Sequence, residues 1–368
     1  MSSTSKYLRN CEGYEIDRSD PRWMHPLLRN QAAISESGET TKDWFDPHVP
    51  VDERRRKAEV TVAPFRDFFI SQYDTEEVKE QGEWLNEEII EGCPEEENAP
   101  AFRVVIRIPK NCHRRKMPAV LLVGGGALAW SIPEAYGMYA YKFSSACNAV
   151  VVIPRYRPGL EAPYPAAVND LHAAYAWMVK NEERLNIDSD RIALAGFSSG
   201  GQLAVSLAFR LKRYGFAPRG CVVHTPITDD RLDKPSSRYY LNDNEWDGAA
   251  IHLSALQYLR AENVASPLIG PEAFANHATV EECKGVCPMF INTFEHDPDS
   301  DYNREFVGKL KEAGVFVDYH LWGRCTHGAC AGIDEDTVKF ASKVDRVLID
   351  AVADCLEYDL RRQWLQKK

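Results

Sequence analysis

The sequence predicts an α/β protein with a mostly parallel central sheet, helices on both faces and a helical cap. Three observations carry that prediction. From Ala101 onward, short apolar runs alternate with amphipathic helical patterns through short connections, as repeated β-α units require. Two of the runs, 118–123 (PAVLLV) and 149–153 (AVVVI), are apolar throughout, as strands covered on both faces are. A third, 191–195, passes into Gly196-Phe197-Ser198-Ser199-Gly200-Gly201 and at once into a helical pattern.

The chain has 368 residues, enough for one large α/β domain with insertions or for two domains. Its net charge of −11, from 44 Lys and Arg against 55 Asp and Glu, argues against nucleic acid as a partner. The basic clusters Arg54-Arg55-Arg56-Lys57 and His113-Arg114-Arg115-Lys116 are short and read as solvated. The first twenty residues hold no apolar core of a signal peptide, and no window reaches the roughly 18 apolar residues of a membrane span. Ten cysteines are scattered without zinc-ribbon spacing; Cys283/Cys287 and Cys325/Cys330 are only loose pairs. A cytoplasmic protein with reduced thiols and no metal is expected.

Residues 1–98 lack the β-α alternation and read as an N-terminal cap or lid plus the lead-in to the core. Residues 76–90 are expected to be helical, followed by the acidic loop 93–98. In 102–108, Phe102, Val104, Ile106 and Ile108 alternate with Arg103 and Arg107, the pattern of a half-buried strand near a sheet edge. Buried strands follow at 118–123 and 149–153, with a helix over 136–147 between them. A helix over 164–185 presents Val168, Leu171, Ala174, Tyr175 and Met178 on one side. The strand 191–195 leads into a helix using Leu203, Leu207 and Leu211 and stopping at Gly215. After a strand at 220–224, a polar stretch breaks the alternation and turns helical near 249–259, reading as a cap insertion over 226–265. The strand 289–293, helix 302–313, strand 315–321 and a long helix 334–358 complete the chain. The core is therefore expected in two parts, 99–225 and 266–368.

Gly196-Phe197-Ser198-Ser199-Gly200 is G-x-S-x-G in a strand–turn–helix setting, where glycines spare a sharp turn from crowding and the serine stands at its apex. A serine nucleophile needs a base, an orienting acid and oxyanion donors. Asp297 follows the strand 289–293 in Glu295-His296-Asp297-Pro298, and His327 follows the strand 315–321. Both lie at strand C-terminal ends, the edge where Ser198 emerges and where open α/β sheets place ligands. The chain order Ser, Asp, His is that of an α/β-hydrolase. Ser198 is therefore read as nucleophile, His327 as general base and acid, and Asp297 as the residue orienting the imidazole. His320 lies within a strand, His296 beside the acid, and His224 precedes the acid in the chain. Gly124-Gly125-Gly126 follows a buried strand, so the N–H groups of Gly125, Gly126 and Ser199 are expected to form the oxyanion hole. No Gly-Lys-Ser/Thr follows, which excludes a nucleotide-binding P-loop.

From about Pro118 to Gly328 the sequence resembles the hormone-sensitive-lipase-like esterases of the α/β-hydrolase fold. Val123-Gly124-Gly125-Gly126 meets the family's HGGG, and 156–167 (YRPGLEAPYPAA) its YRLAPEHPFPAA. Arg191–Gly201 meets RIALAGDSAGG, Ser266-Pro267-Leu268 meets SPL, Asp297-Pro298 with Asp301 meets DPLRD, and His327-Gly328 the terminal HG. The resemblance implies a serine hydrolase of small carboxylic esters, without a cofactor and with a lid partly N-terminal. Three departures stand out. Val123 replaces the family histidine, and altered loop packing with retained activity is expected. Phe197-Ser198-Ser199 replaces Asp-Ser-Ala, so Phe197 fills space an acid would keep polar. Ala127-Leu128-Ala129-Trp130 stands where an aromatic usually comes first, which bears on the acyl or alcohol pocket.

The expected reaction is hydrolysis of a small, partly apolar carboxylic ester through an acyl-enzyme. Lactone, amide or carbamate cleavage would use the same groups, and a non-catalytic small-molecule-binding protein is the rival of another class. A homodimer is left open.

Overall fold

A single eight-stranded sheet organises the computed structural model, which describes residues 7–9, 15–17, 49–73, 75–80, 82–110, 116–239, 248–260, 263–330 and 335–358. The strands are β1 (Gly82–Ile90), β2 (Phe102–Pro109), β3 (Met117–Val123), β4 (Val150–Pro154), β5 (Ile187–Phe197), β6 (Cys221–His224), β7 (Met289–Phe294) and β8 (Val317–Trp322). Their order across the sheet is β8-β7-β6-β5-β3-β4-β2-β1. All neighbours from β8 to β4 pair in parallel; β2 is antiparallel to both β4 and β1. Near the N-terminus, Tyr7–Arg9 and Glu15–Asp17 form a separate antiparallel ribbon.

The apolar runs behave as fully covered strands do. Along β3, Ala119, Leu121 and Val123 enter one core cluster while Val120 and Leu122 enter the other, and all five are wholly buried. The first cluster lies under helices α3 (Ala166–Lys180), α4 (Ser199–Arg213), α5 (Gly248–Leu259) and α6 (Ser300–Glu312). The second lies under α2 (Gly137–Cys147) and α7 (Glu335–Glu357), which supplies Phe340, Val344, Leu348 and Val352. No helix among the described residues is long and apolar enough to cross a membrane.

Two expectations in the first third are corrected. Residues 76–90 are not one helix: Glu76–Glu80 forms a single turn and β1 follows as the edge strand. With β1 outside it, β2 is the penultimate strand and is almost entirely covered. Arg107, taken as a solvent-facing member of an alternating pattern, is wholly buried, and its Nη2 donates to the Val78 carbonyl at 2.8 Å. The aromatic pair Trp44-Phe45 lies outside the described residues, whereas 65–73 belongs to the long helix α1 (Val51–Tyr73).

The segment between β4 and α3 meets elements from both ends of the chain. Arg55 of α1 donates from Nε to the Leu160 carbonyl at 2.8 Å, and Tyr164 N–H donates to the Tyr258 carbonyl of α5 at 2.6 Å.

Candidate active site

β5 ends at Phe197 and α4 begins at Ser199, so one residue makes the whole turn. Ser198 carries φ 53° and ψ −127°, a left-handed conformation that costs a non-glycine residue about 1–3 kcal/mol. Its surroundings enforce the strain. Ser198 N–H donates to the His224 carbonyl at 2.8 Å, and its carbonyl accepts from Gly201 and Gln202 N–H. A Cβ at Gly196 would lie 2.4 Å from the Gly200 carbonyl oxygen; one at Gly200 would lie 2.3 Å from the Val123 oxygen and 2.4 Å from that of Gly124. Only glycine fits at either position, so the serine is left at the apex with its hydroxyl free of the turn.

Asp297 follows β7 and is wholly buried; His327 opens a short turn, His327–Cys330, after β8. The two loops are laced together by Glu295 N–H to the Trp322 carbonyl (3.0 Å) and His296 N–H to the Cys325 carbonyl (2.9 Å). His327 Nδ1 lies 2.7 Å from Asp297 Oδ2, and Nε2 lies 2.9 Å from Ser198 Oγ. A carboxylate only accepts, so the imidazole proton belongs on Nδ1 and Nε2 is left to accept from the serine hydroxyl. Asp297 Oδ1 in turn accepts from Asp299 N–H at 3.0 Å. Asp299 occupies the N-cap of α6, and Asp301 sits inside its first turn and accepts from Ser236 N–H at 2.9 Å.

The glycine loop after β3 faces the elbow. A Cβ on Gly125 would meet the Phe197 carbonyl oxygen at 2.6 Å and Ser198 Cβ at 3.1 Å, so its backbone lies directly against Ser198. Gly126 N–H donates to Ser199 Oγ at 2.9 Å, and the Tyr136 hydroxyl lies so near Gly125 that a Cβ there would be 2.8 Å from it. The Tyr156 hydroxyl donates to the Gly124 carbonyl at 2.8 Å. Sequence reasoning enlisted Ser199 only for its amide. Its buried side chain also holds the opposite loop, a role that a motif defined by backbone donors does not reveal.

The neighbours of Ser198 account for the departures. Val123 is wholly buried in the sheet, and the Tyr136 ring covers Gly124 so closely that a Cβ there would lie 2.5 Å from it. Phe197 packs against Tyr139 with ring centroids 4.0 Å apart and against Tyr136 at 5.7 Å. Ala127 and Leu128 both adopt positive φ (52° and 58°) and swing the chain away, burying Leu128 and Ala129.

His224 underlies the site. Its ring meets Phe294 edge-on at 5.0 Å and Phe197 at 5.9 Å, and its Nδ1 is buried without a hydrogen-bond partner. Burial, then the nearby His327, pushes its pKa down from 6.5 to about 3. The unfolded chain takes up this proton below about pH 6.5 and the folded one does not. Stability is therefore expected to fall as pH drops from 6.5 towards about 3. Its slope should reach at most about 1.4 kcal/mol per pH unit. Urea midpoints measured from pH 7 to pH 4 should show that slope, and His224→Gln should flatten it; an unchanged slope in the variant would assign the acid sensitivity elsewhere.

Asp229, Asp230 and His277 also converge, but their oxygens are already engaged. Arg231 and Asn276 donate to Asp229, while Ala265 N–H (2.5 Å) and His277 Nε2 (2.6 Å) bind Asp230. That grouping reads as a structural brace.

A sequence family described as alpha/beta hydrolase fold matches residues 120–331. Carboxylesterase NlhH of Mycobacterium tuberculosis is 28% identical over 216 residues, 58% of this chain and 67% of that protein. Ethyl acetate hydrolase of Pseudomonas putida is 29% identical over 213 residues, 56% of this chain and 64% of its own. This chain thus spans about two thirds of the length of these relatives. The mouse hormone-sensitive lipase is 30% identical over 131 residues, 35% of this chain and 17% of the lipase. Among solved structures, a bacterial heroin esterase superposes with a TM-score of 0.76 at 23% identity, covering 91% of this chain and 98% of that one.

Proposed function

The chain belongs to the family of the alpha/beta hydrolase fold, and from that membership we propose that Ser198, Asp297 and His327 are the catalytic triad of a serine carboxylic-ester hydrolase. One observation carries the reading: the unbroken hydrogen-bonded line from Asp297 Oδ2 through the His327 imidazole to Ser198 Oγ, at 2.7 and 2.9 Å.

Ser198 Oγ attacks the ester carbonyl while His327 Nε2 takes its proton, and Asp297 holds the imidazolium that results. The developing oxyanion settles among the N–H groups of Gly125, Gly126 and Ser199, drawing Gly126 N–H from the Ser199 hydroxyl. Collapse expels the alcohol with the proton from His327. Water, deprotonated by the same imidazole, then attacks the acyl-enzyme and releases the acid. Each donor in the oxyanion pocket is worth about 3 kcal/mol to the transition state.

The substrate is a small, partly apolar ester. Ala129, Leu160, Trp130, Ile132 and Leu253 of α5 cluster beside the glycine loop and supply an apolar wall. Within 1–98, the part before β1 contributes to the cap with 226–265 while β1 is lead-in to the core, a reading supported by the attachment of Arg55 and Tyr258 to the segment between β4 and α3. Cytoplasmic residence fits the eight described cysteines, which are all free thiols. All three triad groups come from one chain, so a homodimer is compatible with the chemistry.

The test is turnover of p-nitrophenyl acetate and butyrate by the wild-type protein and by Asp297→Asn. Wild type should hydrolyse both. The variant keeps the hydrogen bond but reverses the imidazole tautomer, and kcat should drop by about 10⁴-fold. An inactive wild type, or a fully active Asp297→Asn, would overturn the proposal.

A further inference from the structure

We propose that Cys93, Glu95 and His172 form a binding site for a divalent transition-metal ion of the zinc type, separate from the Ser198 site. Cys93 lies in the turn after β1, Glu95 two residues on, and His172 in the middle of α3. Cys93 Sγ is 3.0 Å from Glu95 Oε2, His172 Nδ1 is 3.6 Å from the same oxygen, and all three ligand atoms lie within 4.8 Å of one another. A tetrahedral ion with bonds of about 2.0–2.3 Å holds its ligands roughly 3.3–3.8 Å apart. The observed spacings need shifts of about an ångström or less to reach that geometry.

A second observation points to a ligand. His172 is 95% buried, at 5% exposure, and its Nδ1 has no hydrogen-bond partner although it faces Glu95. Leaving a buried polar atom unsatisfied is costly, and a metal bond would satisfy it. A neutral imidazole offers a lone pair for such a bond. The surroundings permit a cation. Of the guanidiniums whose charge reaches the site, Arg210 is engaged by Glu272 at 2.7 Å and by Asn169, and Arg213 by the same Glu272 at 3.0 Å. Glu95 is half exposed, with 48% of its side chain open, so an ion has an entry path and a fourth position for water.

On binding, the Cys93 thiol releases its proton to solvent, and its hydrogen bond to Glu95 is replaced by metal bonds from both residues. Because a thiol must lose its proton to bind a metal, binding should strengthen as pH rises. The mixed sulfur, nitrogen and oxygen donors suit zinc better than calcium or magnesium. Cysteine spacing does not reveal this site because its ligands come from two elements far apart in sequence. The ion would staple the loop carrying Glu96, which already pairs with Arg157 at 2.7 Å, onto α3.

The experiment uses the full-length chain, treated with a chelator and titrated first with Co²⁺ and then with Zn²⁺. One Co²⁺ per chain should appear with a thiolate charge-transfer band, bleached by one equivalent of Zn²⁺, and Zn²⁺ should raise the Tm. Cys93→Ser should abolish the band, and His172→Gln should weaken Zn²⁺ binding by more than about 100-fold, beyond the roughly 10- to 100-fold that losing an outer partner costs. Glu95→Gln, at a half-exposed position that tolerates change, should weaken it about 10-fold. Circular dichroism checks that each variant has folded; if either buried variant does not fold, Glu95→Gln decides. Absence of one-equivalent binding, or an unchanged affinity in folded variants, would overturn the site.

Discussion

Ser198→Ala is expected to lower kcat/KM for p-nitrophenyl acetate by about 10⁴- to 10⁶-fold while leaving the fold intact. The hydroxyl is the group aligned with His327 Nε2 at 2.9 Å, and no neighbour replaces it. Ser199 is adjacent in sequence, but its side chain is wholly buried and committed to Gly126 N–H on the far side of the turn. Alanine meets the same left-handed backbone as serine, so the strain at residue 198 is carried over and thermal unfolding should shift little. Residual turnover would come from oxyanion stabilisation and binding alone. A combined His327→Ala, Ser198→Ala variant should lose no more than the worse single variant, because the two act as a unit. Equal turnover by wild type and Ser198→Ala would remove the serine from the mechanism.

The second large effect is steric. Gly200→Ala would set a methyl group 2.3 Å from the Val123 oxygen, 2.4 Å from the Gly124 oxygen and 2.5 Å from the Gly124 carbonyl carbon. All three are backbone atoms at the C-terminal end of β3, so no side chain can rotate away. Either α4 or the glycine loop must move. Overpacking of this kind costs about 1–3 kcal/mol and often more where backbone must yield. A misplacement near 1 Å between nucleophile and oxyanion loop costs about 10²-fold in rate. Gly200→Ala should therefore show both a lower Tm and a kcat/KM reduced by two orders of magnitude or more. Gly308→Ala in α6 is the control: nothing lies within 4 Å of its Cβ position, and a helical glycine-to-alanine change should be neutral or stabilising by about 1 kcal/mol. Wild-type rate and stability in Gly200→Ala would contradict the packing of the elbow.

The candidate site was legible because its parts sit just past strand ends that local pattern announces. Continuous apolar runs marked β3, β4, β5 and β7, and the residues just beyond them were the glycine loop, Ser198 and Asp297. What stayed hidden depended on contacts distant in sequence. Residues 76–90 are rich in glutamate and carry no strand alternation; pairing with β2, not local preference, makes 82–90 a strand. Arg107 looked solvent-facing because nothing local tells that β1 and the Val78 carbonyl cover it. The Ser199 hydroxyl and Gly126 are 73 positions apart, so their contact belongs to the tertiary fold.

That contact has a consequence for discrimination. A neutral hydroxyl oxygen already satisfies Gly126 N–H before any ester arrives. A ground-state carbonyl is also neutral and gains little by competing for the same donor. A full alkoxide charge makes hydrogen bonds roughly twice as strong and wins the exchange. The loop would thus withhold one amide from the resting ester and release it only as charge accumulates. In the proposed mechanism this would concentrate its contribution where the barrier is highest. A serine in place of alanine after the nucleophile would then act as a threshold, set by the charge on the incoming oxygen.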